Sequence, residues 1–355
     1  MRVRGGLMPA APLNAHAGPE RIRRLLVRVG VAGALLTLAV IVSSAYLRLV
    51  QLGLGCDTWP SCYGLRLLDA KALAEQYASV PWIRIVHRVA ASGVAVLALC
   101  ALAFAVFGRR AGRTPVVAGG ALVALAFVLA VLGRAAGSSL FPAVALGNVI
   151  GGMAMLALFW WVQLEARHPA RAPAAKRNVL TVFTVTAIAL LAVQIALGVL
   201  SSAQLAGRAC PQLLACEAAT LTRAADPALY NPWHVLPAAD TAGRAALQLA
   251  HRAGALATAL SLFLLIGVSW RRHPSSREAA LALGLLVALE GALGAAQIAL
   301  DLPLAVAVAH NAVAALIVLA AVSLVFYSRS SEAAAVSSLC QTWTSNHPSG
   351  TKAQR

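Results

Sequence analysis

Residues 82–107 read WIRIVHRVAASGVAVLALCALAFAVF, and residues 246–270 read ALQLAHRAGALATALSLFLLIGVSW. Each begins with a His-Arg pair in its first turns, His87-Arg88 and His251-Arg252, and then runs apolar to its end. Crossing the hydrocarbon core of a bilayer takes about 20 apolar residues of helix, and both stretches are that long. Six others qualify, at 26–49, 115–134, 142–163, 179–201, 279–299 and 303–327. Arg134 and Gly137 interrupt the outer end of the third in chain order. The pattern predicts an all-α polytopic membrane protein of eight transmembrane helices.

Composition agrees. Apolar residues fill 60% of the 355 positions and charged residues 12%, with a mean hydropathy of +0.78. A soluble chain of this length needs about twice that charge to cover its surface. Alanine, leucine and valine dominate beside 27 glycines, which suits closely packed membrane helices rather than a β-barrel. The net charge of +17 raises the question of nucleic acid. The basic residues, however, are dotted between apolar runs rather than gathered on one domain, so no nucleic-acid partner is expected.

Those basic residues orient the chain. Arg2, Arg4, Arg21, Arg23 and Arg24 precede the first helix. Arg109, Arg110 and Arg113 follow the second, Arg167, Arg171, Lys176 and Arg177 the fourth, and Arg271, Arg272 and Arg277 the sixth. The alternate loops are poor or balanced, with Arg66 and Lys71 among Asp57, Asp69 and Glu75. This asymmetry places both termini in the cytoplasm of a bacterial inner membrane, with membrane lipids as the surrounding partner. The first apolar run is too long for a cleaved signal peptide.

The chain repeats itself once. Cys56 and Cys62 follow the first helix, and Cys210 and Cys216, at the same spacing, follow the fifth. The cysteines repeat at an offset of 154 and the His-Arg pairs at 164, so the second outer loop is ten residues longer. Asn148 and His310 correspond at an offset of 162. Two tandem four-helix bundles in parallel repeat account for this. The expected division is a cytoplasmic tail over 1–24, an N-terminal unit over 25–164, a cytoplasmic linker over 165–178, a C-terminal unit over 179–327, and a disordered cytoplasmic tail over 328–355.

His251 and His310 each lie in the first two turns of an outward-to-inward helix, hence at one depth. Ionisable groups in a membrane face the bundle interior, toward a partner or a ligand. Two imidazoles from two helices of one bundle are what axial ligation of a haem iron requires. The plainer account is a pair of histidines hydrogen-bonding across helices; matched depth and a third histidine at the repeated position, His87, favour haem. Arg88 and Arg252 are placed either to pair with haem propionates or to reach the headgroups. Asn148 is a poor iron ligand, so the first unit lacks a bis-histidine site. Each cysteine pair faces an oxidising compartment and is expected to form a disulfide. Structural clip and redox participant both stand for Cys56–Cys62, whereas a clip is favoured for Cys210–Cys216. Cys100, inside the second helix, reads as inert packing. Glu290, Gln194 and Gln297 read as groups bonded between helices.

AYLRLVQLGLGCDTWPSCYG (45–64), LFPAVALGNVIGG (140–152), LAHRAGA (249–255) and LPLAVAVAHNAVAAL (302–316) together resemble the haem A synthase family. The resemblance covers about residues 25–327 and implies oxidation of the C8 methyl of haem O to a formyl group, giving haem A for cytochrome oxidase. It implies a haem b cofactor, its iron held by His251 and His310; Arg252 and Arg88, from their places beside histidines, stand as further candidate cofactor-binding residues. It implies haem O as substrate in the N-terminal unit, with His87 as iron ligand, and His87, Cys56 and Cys62 as the candidate catalytic set. Haem O synthase, cytochrome oxidase assembly proteins and a second copy of the chain are the implied protein partners. In the family a second histidine and a glutamate one turn before the first complete that site; this chain has Asn148 and Arg84 there. Arg84 and His87 share a helix face, so the exchange removes a general base and reverses the local charge. A non-catalytic haem b-binding paralogue and a b-type quinol-linked electron-transfer protein are the rival readings.

Reporter fusions after residues 111, 173, 274 and 330 are expected to read cytoplasmic, and those near 65 and 225 periplasmic. A cytoplasmic signal near residue 65 would overturn the eight-helix count.

Overall fold

The structure is a computed structural model that describes residues 17–64, 81–108, 113–136, 139, 141–168, 179–212, 216, 219–272 and 274–346. Much of the charge used for orientation, including Arg2, Arg4, Arg66, Lys71, Arg109, Arg110, Arg171, Lys176 and Arg177, lies outside the described residues. Eight helices are long and apolar enough to span a bilayer: α1 (Ala17–Gln51), α2 (Pro81–Phe107), α3 (Arg113–Ala135), α4 (Pro142–Arg167), α5 (Val179–Ala203), α6 (Thr241–Arg272), α7 (Arg277–Ala299) and α8 (Leu304–Asn346). The protein is a multi-pass membrane protein, all helical in its described residues.

Two expectations need correction. The first helix starts at Ala17, inside the stretch expected to be a tail. Glu20 lies 3.7 Å from Arg23 and 3.6 Å from Arg24, at the i+3 and i+4 spacings that support an exposed helix. The last helix likewise continues past 327 to Asn346, because EAAAVSSLCQ carries no Gly or Pro to stop it.

Contacts close α1–α2–α3–α4 into one ring and α5–α6–α7–α8 into another, joined through α1 and α4 against α8 and through α4 against α5. Lipid tails are as apolar as leucine, so close packing rather than apolar burial must hold such rings together. At the α1–α4 contact that closeness comes from glycine. A Cβ on Gly33 would lie 2.3 Å from the Phe159 ring, and one on Gly30 would lie 2.6 Å from Gln163 Cβ. Phe159 and Gln163 are accordingly buried. Between the rings, Ala315 of α8 is buried within the N-terminal core, and Trp160 Nε1 donates to Ser323 Oγ at 2.7 Å. Outward-facing Phe107, Phe127 and Leu256 are exposed, as lipid-facing side chains should be.

The two loops after α1 and α5, named outer from the charge asymmetry of the sequence, cross over. The Cys56–Cys62 disulfide loop packs on the start of α8, where Leu54, Trp59 and Tyr63 meet Leu304, Ala307 and Val308. Trp59 Nε1 donates to Asp301 Oδ2 at 3.2 Å, and Arg208 pairs with the same carboxylate at 2.7 Å. Burial pushes the Tyr63 phenol up to about 12, so it stays neutral beside the Gly207 backbone. The longer second loop leans the other way: Ala143 N–H donates to Pro232 O at 2.8 Å, and Trp233 stacks edge-on against Phe141. Its return strand is clamped by Gln204, which bonds His234 O and Leu236 N–H, and by Arg244, which donates to Gln204 O, Leu236 O and Ala238 O. The ten extra residues thus supply a cover for the other unit.

Asp240 fixes the entry to α6 by accepting Gly243 N–H at 2.8 Å. Arg223 bonds it at 2.9 Å, and these two contacts hold its carboxyl below the usual range. The stabilisation is therefore present above the ordinary aspartate value and is lost as pH falls through the lower folded-state value. Asp240→Ala is expected to cost about 1 kcal/mol as a lost cap and to speed proteolysis of the second outer loop at neutral pH, with the difference vanishing in strong acid. Gly33→Leu is expected to lower the apparent Tm in detergent by roughly 5 °C or more. Gly120, whose added Cβ would meet nothing within 4 Å, should tolerate the same change; an equal loss at both positions would refute the packing account.

Candidate functional site

A cavity of about 1010 Å³ opens inside the N-terminal ring under the second outer loop. His87, Arg84 and Arg88 of α2, Asn148 of α4 and Arg48 of α1 all line it, with Arg134 of α3 and Arg244 of α6. No aspartate or glutamate is among its described lining residues. Five arginines around a chamber otherwise lined by apolar and neutral polar side chains suit an occupant that is apolar over its body and anionic at an edge.

His87 Nδ1 lies 3.0 Å from Ser43 Oγ. The Ser43 hydroxyl also reaches Ala39 O at 2.7 Å, and a hydroxyl has one proton to give. If the carbonyl takes it, Ser43 Oγ accepts from His87 Nδ1–H and the Nε2 lone pair stays open for a metal. Asn148 faces the same cavity, but its Nδ2 donates to Val144 O at 3.0 Å, a bond within its own helix. Cavity lining by Leu52 and Gly64 brings the first disulfide loop to the chamber's rim.

The second pair is built differently. His251 Nδ1 is 3.0 Å from Gln194 Nε2, which also donates to the His251 carbonyl at 3.1 Å. His310 Nδ1 is 3.3 Å from Glu290 Oε1, close but off the line of a hydrogen bond. In each case a neighbouring helix approaches Nδ1. A Cβ on Gly198 would stand 3.0 Å from His251 Cε1, and one on Gly294 would stand 3.8 Å from His310 Cε1. Glycine at 198 leaves room for the His251 ring itself, whereas a Cβ at 294 would make only ordinary contact with the His310 ring. Among the described residues no three His, Cys, Asp or Glu side chains gather to cage a bare ion. Two imidazoles on two helices of one ring are the donor set that an axially ligated haem takes.

Both cysteine pairs are bonded, Cys56 to Cys62 and Cys210 to Cys216, and Cys100 is free and partly buried. Arg252 donates to Cys210 O and Gln212 O, each at 2.7 Å, which ties the second disulfide loop to the helix of His251. Glu290, expected only to bond a neighbouring helix, meets the His310 imidazole. Ser43 and Arg244 went unremarked in the sequence, the first an ordinary helix serine and the second a basic residue at a helix start.

The sequence profile of the COX15-CtaA family, cytochrome oxidase assembly proteins, matches residues 28–322. "Heme A synthase" of Shewanella oneidensis is 30% identical over 319 residues, covering 82% of this chain and 93% of that protein. A profile that spans nearly the whole membrane body, with a relative matched over most of both chains, shows the family: the chain belongs to the COX15-CtaA family of cytochrome oxidase assembly proteins.

Proposed function

We propose that this protein oxidises the C8 methyl of haem O to a formyl group, with haem b resident between His251 and His310. The observation that carries this reading is the N-terminal cavity. Its volume of about 1010 Å³, its arginines and its lack of any described acidic lining residue suit a dianionic porphyrin with an apolar tail. His87 would hold the substrate through Nε2, the nitrogen left open when Ser43 takes Nδ1–H. Arg88 and Arg134 offer positive charge to the propionates. The resident haem b would supply one-electron transfer. Glu290, 3.3 Å from His310 Nδ1, is an acceptor of the kind that orients metal-bound histidines, and the Gln194 amide packs against the His251 ring. The Cys56–Cys62 loop, at the rim of one site and on the helix start of the other, lies where it can shield both from water.

A specific observation favours a second reading, a haem-binding paralogue without conversion. Arg84 stands where the resembled family has its glutamate, and Asn148 spends its amide on Val144 O. No described carboxylate is therefore in the cavity wall to take a proton from the substrate. Expression in a host that makes haem O but lacks its own synthase separates the two. The first reading expects haem A to form slowly in wild type and faster in the Arg84→Glu, Asn148→His double variant. A wild type that forms none, while keeping a low-spin b-type spectrum, establishes the second.

The cofactor assignment has its own test. His251→Ala and His310→Ala are each expected to abolish the low-spin b-type spectrum of the purified protein, because loss of one axial ligand changes the spin state even where haem is retained. Retention of the wild-type spectrum by both variants would contradict it.

A further inference from the structure

Arg48 lies in the last turn of α1 and in the wall of the N-terminal cavity, yet its guanidinium reaches across the seam between the rings. Nη1 donates to Ser202 Oγ of α5 at 2.6 Å, and Nη2 donates to Asn311 Oδ1 of α8 at 3.2 Å. Asn311 follows His310 in the chain, lines the same cavity, and is fixed by its own Nδ2 donating to Ala307 O at 2.8 Å. One side chain of the N-terminal unit is thus bonded to the residue beside a candidate iron ligand of the C-terminal unit.

Its charge is unanswered. Among the described residues no carboxylate lies within 4 Å of Arg48, whereas Arg208 pairs with Asp301 and Arg223 with Asp226 and Asp240. Arg244, the other arginine at this end of the cavity, is occupied in clamping loop carbonyls. Arg48 gives two of its five N–H donors to neutral side chains, which leaves donors and a full positive charge at the cavity wall. A guanidinium in such surroundings is matched best by a carboxylate, which it can grip through two parallel bonds.

We propose that Arg48 is a carboxylate-binding subsite of the N-terminal cavity, which takes a propionate of the bound porphyrin and transmits that event to the C-terminal iron site through Asn311. The proposal rests on the reading of both sites given above. An anion arriving at Arg48 cancels a positive charge bonded to Asn311, the residue after His310. It thereby stabilises the ferric over the ferrous state of the haem held there, and the midpoint potential falls. The substrate would in this way set the driving force of the electron transfer that serves it.

Purified protein carrying its haem b is titrated with zinc protoporphyrin, a redox-inert dianion whose fluorescence reports binding, and separately with its dimethyl ester. Wild type is expected to prefer the acid over the ester at least tenfold, and the haem b potential is expected to fall on binding the acid alone. A tenfold effect on the ferric-to-ferrous ratio corresponds to about 59 mV for one electron. In Arg48→Gln most of the preference and all of the shift should disappear while the b-type spectrum persists. Arg48→Lys should retain part of both. Arg88→Gln, which has no bond to Asn311, should weaken acid binding without abolishing the shift. Porphyrin that binds Arg48→Gln with the wild-type preference and shift overturns the Arg48 proposal alone. Wild type that binds no porphyrin overturns the proposal and the underlying reading together.

Discussion

A charged or polar side chain inside a bilayer has to be answered by another protein group or by a ligand, since no water is there to do it. That constraint organises this molecule. Where the chain answers its own polar groups, the result is architecture. Trp160 bonds Ser323 across the seam, Gln204 and Arg244 pin the second outer loop, and Arg252 holds the second disulfide loop. Where such groups gather around a cavity or face one another between helices, the result is a candidate site. The N-terminal cavity is lined by five arginines and no described acid, and the C-terminal ring holds His251 and His310, whose Nδ1 atoms are approached from neighbouring helices.

The crossing of the outer loops explains why two repeated units act as one body. Each loop covers the other unit's outer end: the first through Trp59 and Tyr63 on the start of α8, the second through Pro232 and Trp233 on the start of α4. A change at either of these contacts is therefore felt at the opposite ring. The repeat has diverged beneath this symmetry. The unit with the His251 and His310 pair keeps one of these imidazoles against a carboxylate, whereas His87 of the other unit shares its cavity with arginines.

The helices were legible because apolar length alone decides a span, and the His-Arg repeat marked two of the three imidazoles before any packing was known. Helix ends were not legible from hydropathy: Glu20 with Arg23 and Arg24, and the alanine-rich run after 331, are helical although neither is apolar enough to cross a membrane. The partners of the histidines were hidden for a different reason. Glu290 and His310 belong to different helices, so their meeting is a matter of rotation about two axes. Ser43 lies one turn past Val40, the residue that the cysteine offset aligns with Gln194, so the repeat did not carry the histidine's partner from one unit to the other. Arg48 could be read as one residue of a resembled segment; that it bonds Ser202 and Asn311 is a property of the seam, which no single segment encodes.

The central claim is that the chain has two unlike haem sites, one closed by two imidazoles and one by His87 alone. Electron paramagnetic resonance of the oxidised, haem b-loaded protein, before and after addition of one equivalent of haemin, tests it most directly. The account predicts a single low-spin ferric signal at first, then a high-spin signal from the added haem that disappears in His87→Ala. A second low-spin signal, or no second haem bound at all, would contradict it.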